Sequence, residues 1–243
     1  MAATLFSVPG SHPSIAAMLM LDHKGIEYRR LDFVPPLQRL ALRVVGFRGG
    51  TVPALRIDGR RVQGSRNISR ALDAMQPQPP LFPQDLVRRE AVEAVEEWGD
   101  EVLQPVVRRI AWAALKRDRS TIRAGLEGAR LGLPSALAAG MATPFVFLSA
   151  WLNRATDEAV RRDLGQLPGL LDRIDRWMAE GVLGGRERNA ADFQVATSLR
   201  ALQTMEDVGR LIEDRPAARL AHEVVPNYPG RIKPTFPPDW LPG

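Results

Sequence analysis

The residues able to do chemistry in this chain are few: three histidines, two tyrosines, a scatter of serines and no cysteine. Ser11 and His12 stand side by side in the run Val8-Pro9-Gly10-Ser11-His12-Pro13-Ser14. Adjacency does not make them a nucleophile and its base, because that pairing needs the ring to reach the hydroxyl and a third group to orient the ring. Ser11 does lie in a turn just ahead of a helix, where free amides and the positive end of the dipole favour an anion. Its hydroxyl either caps that helix or adds a donor to an anion held there. His23 and His222 have no ligand-like partners. With cysteine absent there is no thiolate to bind zinc, form a disulfide or attack a substrate, and no metal site is expected.

The turn that carries Ser11 has to be held by a strand and a helix. Thr4 to Ser7 reads as a short strand, and Pro13 opens an apolar helix through Ile15, Met18, Leu19 and Leu21 that stops at Gly25. Glu27 to Phe33 is a second strand, ended by Pro35 and Pro36, with a short helix from Leu37 to Val45 after it. Pro53 to Ile57 and Arg60 to Gln63 flank Asp58-Gly59, a strong hairpin signal, and Ser65 reads as the N-cap of a helix ending near Met75. The expected order is βαβαββα, an α/β domain over residues 1–76.

Pro77, Pro79, Pro80 and Pro83 make a stiff linker over residues 77–84. From Asp85 strand signals stop, and apolar residues recur at helical spacing, as at Val92, Val95, Trp98, Val102, Val106 and Ile110. Further helices are expected over Arg119–Leu131, Leu137–Asn153, Asp157–Glu180 and Ala190–Glu213, giving an all-helical domain over 85–214. Trp98 and Trp112 are expected in its core, and Glu96, Arg108 and Arg109 in solvent or at an interface. The proline-rich stretch 215–243 is expected to be an extended tail.

Hydrophobic residues at 45% and charged residues at 25% describe a folded, water-soluble chain. The formal charge of +5 comes from arginines spread along helices, without the basic stripe and interleaved aromatics of a nucleic-acid binder. The longest apolar run, Thr143 to Leu152, falls short of the ~20 residues of a membrane span. No secretory signal is visible at the N-terminus. A cytoplasmic protein with neither nucleic-acid nor membrane partners is expected.

Three local patterns narrow the reading further. Thr51-Val52-Pro53-Ala54-Leu55, then Asp58-Gly59, then Gly64-Ser65-Arg66-Asn67-Ile68, resembles the central signature of glutathione transferases, in which a cis-proline precedes a strand, a hairpin and a serine-capped helix. Leu5 to Ser11, with Lys24-Gly25-Ile26-Glu27-Tyr28 after the first helix, resembles that family's opening strand, active-site turn and helix exit. Arg188-Asn189-Ala190-Ala191-Asp192-Phe193 resembles the capping box of its helical domain.

The resemblance implies a thioredoxin-like domain that binds glutathione, a helical bundle that binds a small hydrophobic electrophile, and a homodimer. It also implies a side-chain donor beside the glutathione sulfur. Cysteine is absent and neither Tyr28 nor Tyr228 lies near the first strand, so a serine is expected, Ser11 first and Ser7 or Ser14 behind it. Val52 would pair its backbone with the cysteinyl part, cis-Pro53 would hold that edge, and Ser65 would take the γ-glutamyl carboxylate. The family usually carries Glu or Gln immediately before this serine. Here Gly64 stands there, with Gln63 one position early and so on the other side of a strand. Two activities follow: conjugation of glutathione to an electrophile, or the same fold binding a hydrophobic small molecule with little catalysis.

Overall fold

A computed structural model describes residues 2–35, 37–118, 122, 130 and 135–242, with the side chains of 135–142 excepted. Four strands form one sheet in the order β2-β1-β3-β4, where β1 is Ala3–Ser7, β2 Tyr28–Asp32, β3 Ala54–Ile57 and β4 Arg60–Gln63. β1 runs parallel to β2 and antiparallel to β3, and β3 turns back into β4. Asp58 and Gly59 both have positive φ, 45° and 81°, the conformation a two-residue hairpin needs at both central positions.

Side chains of β1 alternate as a strand demands. Leu5 enters the main core with α1 (His12–His23) and α3 (Ser65–Met75), while Phe6 faces the other way, into a small cluster with Leu42 of α2 (Gln38–Val44) and Phe47. The sheet is therefore covered on both faces. The N-terminal part is a thioredoxin-like α/β unit, and a helical region follows it.

The two parts share a single core. Leu5, Met20, Ile68 and Leu72 belong to the same buried cluster as Val92, Ile110, Leu164 and Leu199. Lys24, at the end of α1, is fully buried and reaches Asp73 at 2.8 Å, the carbonyl of Gln76 at 2.7 Å and that of Pro79 at 2.6 Å. All three ammonium hydrogens thus have acceptors, which makes a buried charge tolerable and fastens the linker to the α/β unit.

The helical part opens with α4 (Leu86–Trp98), a π-helical turn (Gly99–Leu103) and α5 (Gln104–Arg117) in unbroken succession. A π turn inserts one residue and shifts the register. Val102, in the core by uninterrupted helical spacing, is consequently 40% exposed, and Leu103 and Gln104 are buried instead. Glu96, expected in solvent or at an interface, is fully buried and accepts from Ser69 and Arg70. Trp98 is in the core, edge-on to Trp177 at 4.9 Å, and Arg109 forms a two-bond pair with Asp163 at 2.5 and 2.9 Å.

α6 (Ser135–Leu152) and α7 (Asp157–Ala179) follow, and then α8 (Ala190–Gln203), almost wholly buried. The capping box at the head of α8 forms in both directions: Asn189 accepts from the Asp192 amide at 3.1 Å, and Asp192 accepts from the Asn189 amide at 3.0 Å. The helix expected over Arg119–Leu131 lies, but for residues 122 and 130, outside the described residues. The one expected over 190–213 stops at Gln203 and is followed by the short α9 (Glu206–Gly209).

The stretch expected to be extended carries a helix, α10 (Pro216–Val224), and a 3-10 turn, Pro238–Trp240. Pro216 opens α10, where the missing N–H is no loss. From Val225 the chain is extended, bridges to Met205 through Ile232, and lays Phe236 and Trp240 against the Arg117 guanidinium. Among the described residues no helix is long and apolar enough to cross a membrane.

Candidate active site at the open end of the sheet

Register brings the expected site residues to one end of the sheet. Phe6 pairs with Ala54 and Ala54 with Gln63, so the chain leaving β1, the Val52-Pro53 entry to β3 and the Gly64-Ser65 exit from β4 lie together. The Val52-Pro53 peptide is cis, and the Gly64 amide donates to the Pro53 carbonyl at 2.9 Å. The N–H and C=O of Val52 have no partner among the described residues. They form a short unpaired edge, the arrangement to which an extended peptide adds as a strand.

Ser11 occupies the N-cap position of α1, yet its side chain caps nothing. Its oxygen instead accepts the hydrogen of Ser14 at 3.0 Å, which leaves its own hydrogen uncommitted. Ser7 is fully buried and donates to the Val8 carbonyl at 3.2 Å, and Ser14 is fully buried and directed at Ser11. Of the three serines, Ser11 alone is partly exposed.

At α3 the expectation needs correcting. The N-cap is Gly64, with φ 88°, and Ser65 is the first residue of the helix. Ser65 is 1% exposed, and its oxygen faces the Gln104 side-chain amide at 3.4 Å. The hydroxyl is therefore turned into the protein, while the first amides of α3 lack a side-chain cap and remain open to an anion. Gln63 does not stand in for the missing acidic or amide side chain. It accepts from the Gly49 amide at 3.0 Å and donates to the Thr51 carbonyl at 2.7 Å, holding the loop that delivers Val52.

Behind Ser11, His12 is buried and shares a hydrogen bond of 3.0 Å with Ser198. Ser198 donates to the Gln194 carbonyl, so the imidazole donates from Nδ1 to Ser198 and Nε2 keeps a lone pair. Burial, and then the Arg108 charge, push its pKa down to about 3. A neutral ring held on Ser198 is a structural tie between α1 and α8. Arg108 donates to Gln104 at 3.4 Å, so Ser65, Gln104 and Arg108 make a polar line into the helical part. Sequence reading missed Gln104 because its inward facing depends on the π turn.

No group of acidic, histidine or cysteine side chains suited to a metal ion occurs among the described residues. Residues 5–80 match the family model described as the glutathione S-transferase N-terminal domain. The fold is that of the glutathione transferases. A β-etherase, LigF, from Sphingobium sp. strain SYK-6 superposes with a TM-score of 0.66 at 21% identity, covering 92% of this chain and 94% of that one. Poplar glutathione transferase F1 gives 0.65 at 16%, covering 93% and 94%. A GST-like protein from Pseudomonas syringae gives 0.56 at 20%, covering 95% and 68%. No curated protein sequence matches the chain.

Proposed function

We propose that the protein is a glutathione-dependent transferase in which Ser11 donates its hydroxyl hydrogen to the glutathione thiolate. The observation that carries this reading is the Ser11 hydroxyl itself, which is partly exposed, receives the hydrogen of Ser14 and leaves its own available. A donor already polarised by a second hydroxyl, beside the N-terminus of α1, lowers the cost of a sulfur anion. Val52 pairs its backbone with the cysteinyl residue, Pro53 fixes that edge, and the open amides of α3 take the γ-glutamyl carboxylate, Ser65 contributing its amide in place of its hydroxyl. The thiolate then attacks a small apolar electrophile and displaces its leaving group. The fold-level likeness to a β-etherase makes ether-bearing compounds the first class to assay.

A second reading, a glutathione transferase-fold protein that binds a hydrophobic small molecule with little catalysis, draws on Gly64 and on the inward turn of Ser65. Both features remove side-chain contacts to glutathione. One experiment separates the two. Wild type and Ser11→Ala are titrated with glutathione by calorimetry, and the ultraviolet absorbance of the bound thiolate is followed against pH. The transferase reading expects comparable affinity in both proteins. It expects the bound thiol to ionise below the value of about 8.5 for a free thiol in wild type alone. Absence of glutathione binding at millimolar concentration favours the second reading. We further propose a homodimer, supported by Leu86 and Val87, which stand 73% and 76% exposed at the head of α4.

A further inference from the structure

A separate cleft of about 500 Å3 opens between α1, β2, α8 and the chain after α10. Ser11, Val52, Pro53, Gly64 and Ser65 do not line it. Val8, Pro9, Ile15 and Met18 give it an apolar wall, Arg30 and Arg200 bring two guanidinium groups, and among the described residues no carboxylate lines it.

The two arginines are not equivalent. Arg30 is matched by Asp32, whose oxygens it meets at 2.8 and 2.7 Å. Arg200 donates to the carbonyls of Val225 at 2.9 Å and Pro226 at 3.3 Å and to the Gln203 side chain at 3.1 Å, all neutral acceptors. No carboxylate among the described residues lies within ion-pair distance of it. Burial lowers its pKa, the sign of a cation short of compensating charge. These three bonds hold the guanidinium in a fixed place, so a ligand need not order it on arrival. The opposite rim is set by Tyr228, whose hydroxyl donates to the Gly10 carbonyl at 2.9 Å.

We propose that this cleft binds a small organic monoanion, a carboxylate or sulfonate on an apolar ring or chain, with Arg200 as its counter-ion. One unmatched positive charge calls for one negative charge, and the apolar wall calls for a hydrocarbon body. The volume falls within the range of small-molecule sites. The inference is independent of the glutathione reading, because the two sites share none of the described residues.

The test is calorimetric titration of the full chain with 2-naphthoate and with its neutral amide. Saturable naphthoate binding is expected, weakened by added salt, with the amide at least about tenfold weaker, the scale of a lost charge-assisted hydrogen bond. Arg200→Met is expected to weaken naphthoate by a similar factor, while Ser11→Ala leaves it unchanged. Met18→Trp keeps the arginine and its partners but fills the cleft, and is expected to abolish binding. It serves as the decisive variant where Arg200→Met does not fold. The proposal is overturned by equal affinity for acid and amide, by unchanged binding in Met18→Trp, or by no saturation at millimolar probe. It is also overturned by displacement of the probe by glutathione together with loss in Ser11→Ala, which would place the anion in the site at the sheet end.

Discussion

Ser11 and His12 are neighbours in sequence and opposites in environment. The serine faces outward with a hydrogen to give, while the histidine is sealed behind it and held neutral. The sign of the resulting pH dependence follows from its lowered pKa. An unfolded chain takes up a proton on this ring below its ordinary value of 6.5, whereas the folded chain refuses it until about 3. The contribution is fully present above 6.5 and is lost as pH falls, by about 1.4 kcal/mol per pH unit between the two values. Urea unfolding of wild type at pH values near 7 and near 5 is expected to show this loss, and His12→Gln, which has no proton to gain, is expected to flatten it. An equal acid slope in the variant would assign the effect to other groups. The sequence made Ser11 conspicuous because turn residues and a helix start are local signals. It could not show that Ser65 turns inward, since that depends on Gln104, 39 residues away.

At the scale of elements, local signals carried far. Hairpin, cis-proline turn, Ser65–Met75 helix and capping box are each encoded within a few residues, and each stands where the sequence placed it. The π turn is different. Gly99 at its start and Pro105 just after it, which has no N–H for the Glu101 carbonyl, are breakers that helical periodicity alone passed over, and the need for glycine is tertiary: a Cβ on Gly99 would come within 2.9 Å of Gln194 Cγ. Gln194 is fully buried and its amide has no hydrogen-bond partner. Gly99→Ala sets a helix-propensity gain of about 1 kcal/mol against overpacking of about 1–3 kcal/mol, so a net loss of about 1 kcal/mol is expected. Adding Gln194→Ala removes both the clash and the unpaired amide. The double variant is therefore expected to be at least as stable as wild type, and thermal unfolding of the four proteins in the cycle measures the coupling. Additive effects would mean the two residues do not press on each other. α10 was missed for a related reason: prolines at 216 and after Val224 punctuate a helix that the stretch as a whole disguises.

For the whole molecule, composition and the linker pointed to two units, and the packing joins them through one core. Buried Lys24 sits where the family-like helix exit was read, though its role as a clasp on the linker is visible only in three dimensions. The proposed dimer is tested by light scattering, which should return about twice the 26.9 kDa chain mass for wild type and the single mass for the double variant Leu86→Glu, Val87→Glu. A wild-type monomer would remove the dimer and leave those residues unexplained. The bond from Tyr228 to the Gly10 carbonyl spans 218 positions. During synthesis, then, the turn beside Ser11 is made 218 residues ahead of a group that supports it. An emerging chain can form its sheet and most of its helices with this turn still lacking its final support. The Ser11 end of the α/β unit reaches its finished shape only after the ribosome has passed Tyr228.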